Sequence, residues 1–353
     1  MATPKGYYSY RGRFPKWKIV VIIILILVIA AAAGFIFLQR YLVYDGSGFP
    51  RFQFPSSQQT PAADKRDASK KSAASGSSKK DLNIKVEKPK SKDVRALQLS
   101  ETPLPDWNTV QQRITQGGTA YNAVVLTVKD PAGYVYYDSA AAVAASRRAV
   151  KSTAATAAAV AGLTGSDYSS VARISCLRDN RAARADISGK GLKNTGGYLF
   201  YDANSANWLD PSKPAAQQYL ASLAKECANL GFKEILLTDF SYPTQGKLSR
   251  IAYGTGDKSE NLKACLTAVK DALAGSKVKL SIELPAGVIT NGSDAASGLN
   301  LADIAPLVDR VYARTTAADA EALSGAVTAA NKDTAFIPEL TGAPSGGSYL
   351  LVR

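Results

Sequence analysis

From Asp93 to Arg353, eight short apolar runs recur with helical patterns between most of them, and few architectures accept that rhythm. The runs are Val94 to Leu99, Ala123 to Lys129, Val171 to Leu177, Glu234 to Asp239, Val278 to Glu283, Val308 to Ala313, Ala335 to Pro338 and Tyr349 to Val352. They are rich in Val, Ile and Leu, as parallel strands covered on both faces must be. Between them the pattern predicts helices over Trp107 to Gln116, Ala140 to Ala161, Pro214 to Leu230, Asn261 to Leu273, Leu301 to Leu307 and Ala317 to Asn331. Asp257 to Glu260, with an acid at each end, reads as a helix start, and Gly231 and Gly275 read as stops. The fold class expected is α/β. Alternating segments imply a parallel sheet, and about 260 residues match one (β/α)8 TIM barrel. A doubly wound open sheet is the alternative, but no G-x-G-x-x-G follows the first strand, which speaks against a dinucleotide domain.

Ahead of this domain, Ile19 to Leu38 is a run of twenty residues without a charge or an amide. At about 1.5 Å per residue it crosses a hydrocarbon core of roughly 30 Å, so it is expected to be a transmembrane helix. Lys5, Arg11, Arg13, Lys16 and Lys18 precede it without an acid, whereas Arg40, Asp45 and Arg51 follow, an asymmetry that keeps the N-terminus inside. Trp17 and Tyr41 fall at the two interfaces. A cleaved secretory signal is the other reading, from the small residues Ala30 to Gly34, although a signal's apolar region usually ends after about 7 to 15 residues. On either reading residues 93–353 lie outside the cell, and on the first residues 1–18 form a cytoplasmic basic tail.

The net charge of +14 separates by region. Residues 1–92 hold seventeen Lys and Arg against five acids, and residues 93–353 hold 26 against 24. The basic excess therefore belongs to the tail and to residues 39–92, a Ser-, Lys- and Ala-rich stretch too poor in apolar groups to offset its ordering entropy. It is expected to be a disordered linker, and no nucleic-acid module is visible. Cys176, Cys227 and Cys265 lack metal-ligand spacing and read as buried small hydrophobes, with a Cys227–Cys265 bridge left open. Histidine is absent, which excludes a Ser-His-Asp triad, a Cys-His pair and a His-bearing catalytic zinc site. The sequence calls for no metal and no cofactor.

Five segments together carry a family likeness: Asn122-Ala-Val-Val-Leu-Thr-Val-Lys-Asp130, Ala172-Arg-Ile-Ser-Cys-Leu-Arg-Asp179, Trp208-Leu-Asp-Pro211, Gly231-Phe-Lys-Glu-Ile235 and Asp239-Phe-Ser-Tyr-Pro243. The chain resembles the bacterial family of glycosyl hydrolase domains, TIM barrels related in fold to glycosidases and often tethered to a membrane. The likeness covers nearly the whole of residues 93–353. The family pattern has Gly-Phe-Asp-Glu-Ile followed by Asp-Tyr-Val-Arg-Phe-Pro. Here Lys233 stands for the first Asp, Ser241 for the Arg, and Thr238 falls where the second Asp belongs, leaving Asp239 one place late. One step along a strand reverses a side chain's face, so Asp239 serves that role only if the strand end bulges.

The resemblance implies a glycan substrate and carboxylate chemistry, and in such a barrel the working groups project from the C-terminal ends of the strands. Asp239, Glu283 and Glu339 hold those positions. Glycoside hydrolysis needs two carboxyl groups, one to protonate the leaving oxygen and one to attack or to activate water. Asp239 with Glu283 on the next strand is the preferred pair, because Glu283 ends an apolar strand where burial would raise an acid's pKa; Asp239 with Glu339 across the mouth is the other. Pairing of these acids with Arg173, Arg178 or Arg314 in a structural network is equally open. Lys129, Asp130, Arg173 and Asp179 stand ready to bind sugar hydroxyls or to neutralise one another. Tyr201, Trp208 and Tyr242 are stacking candidates, although a Trp beside Asp-Pro is also a usual packing anchor.

Overall fold

The computed structural model of the chain describes residues 42–44, 50–52, 93–100, 105–116, 121–254 and 256–352. The expected membrane helix Ile19–Leu38, the tail before it and most of the linker lie outside them. Among the described residues no helix is long and apolar enough to cross a membrane. Within the linker segment, Leu42–Tyr44 pairs antiparallel with Pro50–Phe52.

Eight strands follow: β1 (Arg95–Leu99), β2 (Ala123–Lys129), β3 (Ser169–Ser175), β4 (Glu234–Thr238), β5 (Lys279–Glu283), β6 (Arg310–Arg314), β7 (Ala335–Leu340) and β8 (Tyr349–Val352). All pair in parallel, each with its neighbours in sequence, and β8 returns to β1 to close the barrel. This is the (β/α)8 TIM barrel expected from the alternation. Strands β2 and β8 keep their predicted bounds, and the others shift by one or two residues at their ends.

The helices are α1 (Trp107–Thr115), α2 (Ala140–Ala145), α3 (Ala154–Thr164), α4 (Asn180–Ala185), α5 (Pro214–Asn229), α6 (Lys258–Ala272), α7 (Ala286–Asn291), α8 (Leu301–Ile304) and α9 (Ala320–Ala330). Local chemistry sets their ends. Asp257 accepts the Ser259 N–H at 2.7 Å and starts α6. Gly231 and Gly275, with φ of +93° and +76°, follow α5 and α6 in the left-handed conformation that ends a helix.

The Ala-rich run predicted as one helix over Ala140 to Ala161 is two. Its middle is drawn out as an extended segment, where the Val135 N–H donates to Ala149 O at 2.9 Å and the Lys151 N–H donates to Val135 O at 2.8 Å. Alanine is the best helix former, but differences in propensity are small beside tertiary packing, and the burial of Val135 and Ala149 overrides them. The helix then restarts at Thr153, which caps α3 reciprocally with Thr156.

Two apolar layers result. One lies between the strands and the helices, and the other fills the barrel with Ala96, Val125, Val171, Leu236, Tyr312, Ile337 and Leu350 among others. Side chains alternate along a strand, so the inner set fixes which residues face the axis. Two places on, toward the C-terminal ends, the same faces carry Gln98, Thr127, Arg173, Thr238, Arg314 and Glu339. At the opposite end Glu234 opens β4 wholly buried, accepting the Ser281 hydroxyl at 2.6 Å and the Tyr312 hydroxyl at 2.9 Å while it pairs with Arg310. The three cysteines are buried and unbridged, and burial pushes the thiols of Cys227 and Cys265 up to about 12.

Candidate active site at the barrel mouth

The polar layer above the inner core gathers the candidate residues. Glu283 ends β5 and forms an ion pair with Arg173 of β3; the two side chains are about a quarter exposed. Arg173 keeps its charge firmly: burial opposes it, and the carboxylates of Glu283, Glu339 and Asp239 more than compensate. Arg314, at the end of β6, lines the same cavity as Asp239 and Glu283, about 240 Å³ in volume. Ser241 lines it as well. The position where the family pattern has an arginine is thus occupied by a small side chain, and positive charge reaches the mouth from β3 and β6 instead.

Asp239 follows β4 with φ of +50°, one of two non-glycine residues with positive φ among those described. Aspartate tolerates this region better than most side chains do. The turn answers the register problem raised by the sequence. Thr238 occupies the inward position of β4, so a continued strand would send Asp239 outward. The left-handed step swings it back, and its Oδ2 accepts the Ser175 hydroxyl at 2.6 Å. Ser175 lies two residues beyond Arg173 on the same face of β3. It is the site residue that sequence reasoning missed, and that spacing was the signal.

Glu339 of β7 is 1% exposed, and its Oε1 has no hydrogen-bond partner. Burial and the Glu283 charge push its carboxyl up to about 7, against the pull of Arg173 and Arg314. Desolvation disfavours the anion, so this acid gives up its proton at a higher pH than an ordinary glutamate does. Glu283 thus has an ionic partner in Arg173, and burial raises the acid on β7, Glu339.

The remaining sequence-predicted residues are brought into supporting positions. Lys129 is buried, donates to Ser175 O at 2.5 Å and pairs with Asp179 Oδ2 at 3.0 Å. A register shift between β2 and β3 at Thr127/Lys129 accompanies this reach. Asp179 is wholly buried; its Oδ1 accepts the N–H groups of Arg181 and Ala182 and so caps α4. A buried lysine–carboxylate pair of this kind satisfies both charges and leaves neither for a sugar. Asp130 accepts the Tyr134 N–H at 2.9 Å and the Tyr136 hydroxyl at 2.7 Å, bracing the loop after β2. The Trp208 indole N–H donates to Asp202 Oδ2 at 3.1 Å inside the outer core. Tyr242 is buried, meets the Tyr253 ring edge-on at 5.5 Å and accepts from Asn261 Nδ2 at 3.2 Å. Both rings are therefore spent in packing, whereas Tyr201 is 64% exposed. Among the described residues no cluster of His, Cys, Asp and Glu is placed to hold a metal ion.

The chain is similar to the glycoside hydrolase domain of PgaB (BpsB) from Bordetella bronchiseptica at 15% identity, covering 74% of this chain and 93% of that one, with a TM-score of 0.49. It is similar to a hypothetical protein from Ruminiclostridium thermocellum at 25% identity, covering 50% and 90%, TM-score 0.44, and to the glycoside hydrolase domain of PelA from Pseudomonas aeruginosa at 14%, covering 70% and 83%, TM-score 0.38. Comparison with curated proteins gives no match. A family model matches residues 108–314, from α1 through the last residue of β6. The chain therefore belongs to the family described as "Putative glycosyl hydrolase domain".

Proposed function

We propose that the chain is a glycoside hydrolase that acts on a cell-surface or wall polysaccharide from a single membrane anchor at Ile19–Leu38. The observation that carries the reading is the convergence of Asp239, Glu283 and the buried Glu339, with Arg173 and Arg314, at the C-terminal end of the barrel. Asp239, held by Ser175, is the anion that attacks the anomeric carbon or activates water. Glu283 faces the cavity as its partner, and Glu339 behind it is the source of the proton for the leaving oxygen. A sugar hydroxyl that engages Arg173 would release Glu283 from its ion pair and let it take that proton. The anchor is supported by the length and charge flanks of the apolar run.

The test is hydrolysis of a panel of surface polysaccharides by the full-length chain. Asp239→Asn and Glu283→Gln should each lower kcat by about 100- to 10,000-fold on whichever glycan is cleaved. Wild-type rates in both variants would sink the assignment. A second reading, a barrel that binds glycan without cleaving it, is favoured by the Arg173–Glu283 ion pair, which engages one carboxylate in the free protein. Tight binding of a glycan that stays intact on long incubation would select it. For the anchor, membrane fractionation with protease added outside intact cells should remove the barrel; protection would overturn that topology.

A further inference from the structure

The near-neutral charge of the barrel domain conceals a segregated patch. Beyond the C-terminal ends of β2 and β3, a cavity of about 480 Å³ is lined by Tyr134, Arg148, Arg181 and Arg184, among others. Arg181 and Arg184 lie three apart on α4 and so share a face of it. Arg148 comes from the turn that leads from α2 into the stretch that Val135 draws out of the Ala-rich helix. Lys151 belongs to that stretch. Its ammonium and the Arg181 guanidinium both sit over the Tyr134 ring, each 3.5 Å from the centroid.

None of these four cations forms an ion pair with a carboxylate among the described residues. Asp138, the acid nearest in sequence to Arg148 and Lys151, lines a different cavity, and the acids nearest to Arg181 and Arg184 and at the end of β2 are already engaged. Asp179 is buried against Lys129, Asp186 pairs with Lys190 at 2.8 Å, and Asp130 accepts from Tyr134 and Tyr136. Arg184 uses its Nε on Asn207 Oδ1, while the Nε of Arg181 is shut away from solvent without a partner. One aromatic ring attracts each cation modestly and leaves their mutual repulsion in place. An anion seated in the cavity would relieve it.

The patch is tied to the proposed catalytic carboxylate by a run of contacts. Arg181 donates its backbone N–H to Asp179, Asp179 pairs with Lys129, Lys129 donates to Ser175 O, and the Ser175 hydroxyl donates to Asp239. Gly133, with φ of +86°, allows the β2 loop to press on this relay, since a Cβ there would lie 2.1 Å from Asp179 Oδ1. The cationic cavity thus stands at the same end of the barrel as the mouth, on loops braced by the residues that hold Asp239.

Resting on the glycan reading above, we propose that this cavity is a subsite for an acidic group on the polysaccharide, a carboxylate or a phosphodiester, so that the chain selects anionic over neutral glycans. Arginine suits both groups through paired N–H donors.

The test is equilibrium binding, read by calorimetry on the full-length Glu283→Gln variant so that turnover plays no part. The probes are a galacturonic acid hexamer, the same hexamer fully methyl-esterified, a poly(glycerol phosphate) chain and vesicles of anionic phospholipid. One acidic probe should bind at least about tenfold tighter than the ester and weaken as salt rises, and the stronger of the two acidic probes names the group. Arg148→Gln and Arg184→Gln, both at exposed positions, should each weaken that binding about tenfold while leaving the thermal transition in place. Equal binding of hexamer and ester, unchanged binding in both variants, or binding to vesicles alone would overturn the proposal. Acidic-glycan binding without any hydrolysis in the wild type would sink the hydrolase reading and leave this one standing.

Discussion

The Ser175 hydroxyl donates to Asp239 Oδ2 at 2.6 Å across the β3–β4 junction, and it does so because Asp239 has left the strand with φ of +50°. A hydroxyl on one strand and a backbone turn on the next together aim a carboxylate that strand alternation alone would have pointed away. Ser175→Ala removes a hydrogen bond to a charged group, worth about 1.5–3 kcal/mol. It should lower kcat by about one to two orders of magnitude with KM little changed, and steady-state kinetics on the cleaved glycan would check this. Retention of wild-type kcat would show that Asp239 needs no such support.

Replacement of Asp239 separates conformation from chemistry. Asn accepts the left-handed region about as readily as Asp, so Asp239→Asn should fold with near-wild-type stability and lose activity. Asp239→Ala should lose activity and also about 1 kcal/mol relative to the Asn variant, measured by urea denaturation. Equal stability of the two would mean that the turn is not strained.

Glu339 should make the fold pH-dependent. Burial favours its neutral form, so between the ordinary glutamate range and about 7 the folded chain holds a proton that the unfolded chain has released. Stability contributed by this group therefore falls as pH rises through that window, by at most about 1.4 kcal/mol per unit, and levels off above it. Glu339→Gln should flatten that part of the curve and be the more stable protein at pH 8. Chemical denaturation across pH reads the effect, and parallel curves for the two proteins would rule it out.

Activity should follow the same proton. If Glu339 supplies it, the wild-type rate declines above about pH 7, and Glu339→Gln lacks both that limb and most of the rate. A pH-rate profile that stays flat from 6 to 9 would remove Glu339 from the proton path.

At the other end of the barrel Glu234 should matter for folding alone. It is wholly buried between Ser281, Tyr312 and Arg310, so Glu234→Ala leaves a charged partner uncompensated and should cost about 3–5 kcal/mol. Trp208→Ala should cost a similar amount through the cavity it opens. Tyr242→Phe, which drops only the Asn261 contact, should leave KM for the glycan unchanged. A raised KM in that last variant would return Tyr242 to the binding surface.

Much of the barrel was legible in the order of residues. Runs such as Ala123 to Lys129 and Tyr349 to Val352 are apolar over the length of a strand, and burial on both faces leaves no other use for them. Asp257, Gly231 and Gly275 marked helix ends because capping and left-handed φ are local chemistry. The Ala-rich segment misled for the opposite reason: its break depends on Val135, a residue outside the run.

By itself, then, the sequence determined the barrel, the positions of Asp239, Glu283 and Glu339 at strand ends, and the exclusion of histidine chemistry, since periodicity and composition are properties of the chain alone. Only the tertiary structure decided which acid is paired with an arginine and which is buried away from one. Glu283 lies beside Arg173, 110 residues earlier in the chain, while Glu339 lies buried with its Oε1 unpartnered. It also decided which aromatics are free, burying Trp208 and Tyr242 and exposing Tyr201. Charge summed over the domain was nearly zero in either description, but Coulomb interactions depend on distance, and only folding sets Arg148 beside Arg181 and Arg184.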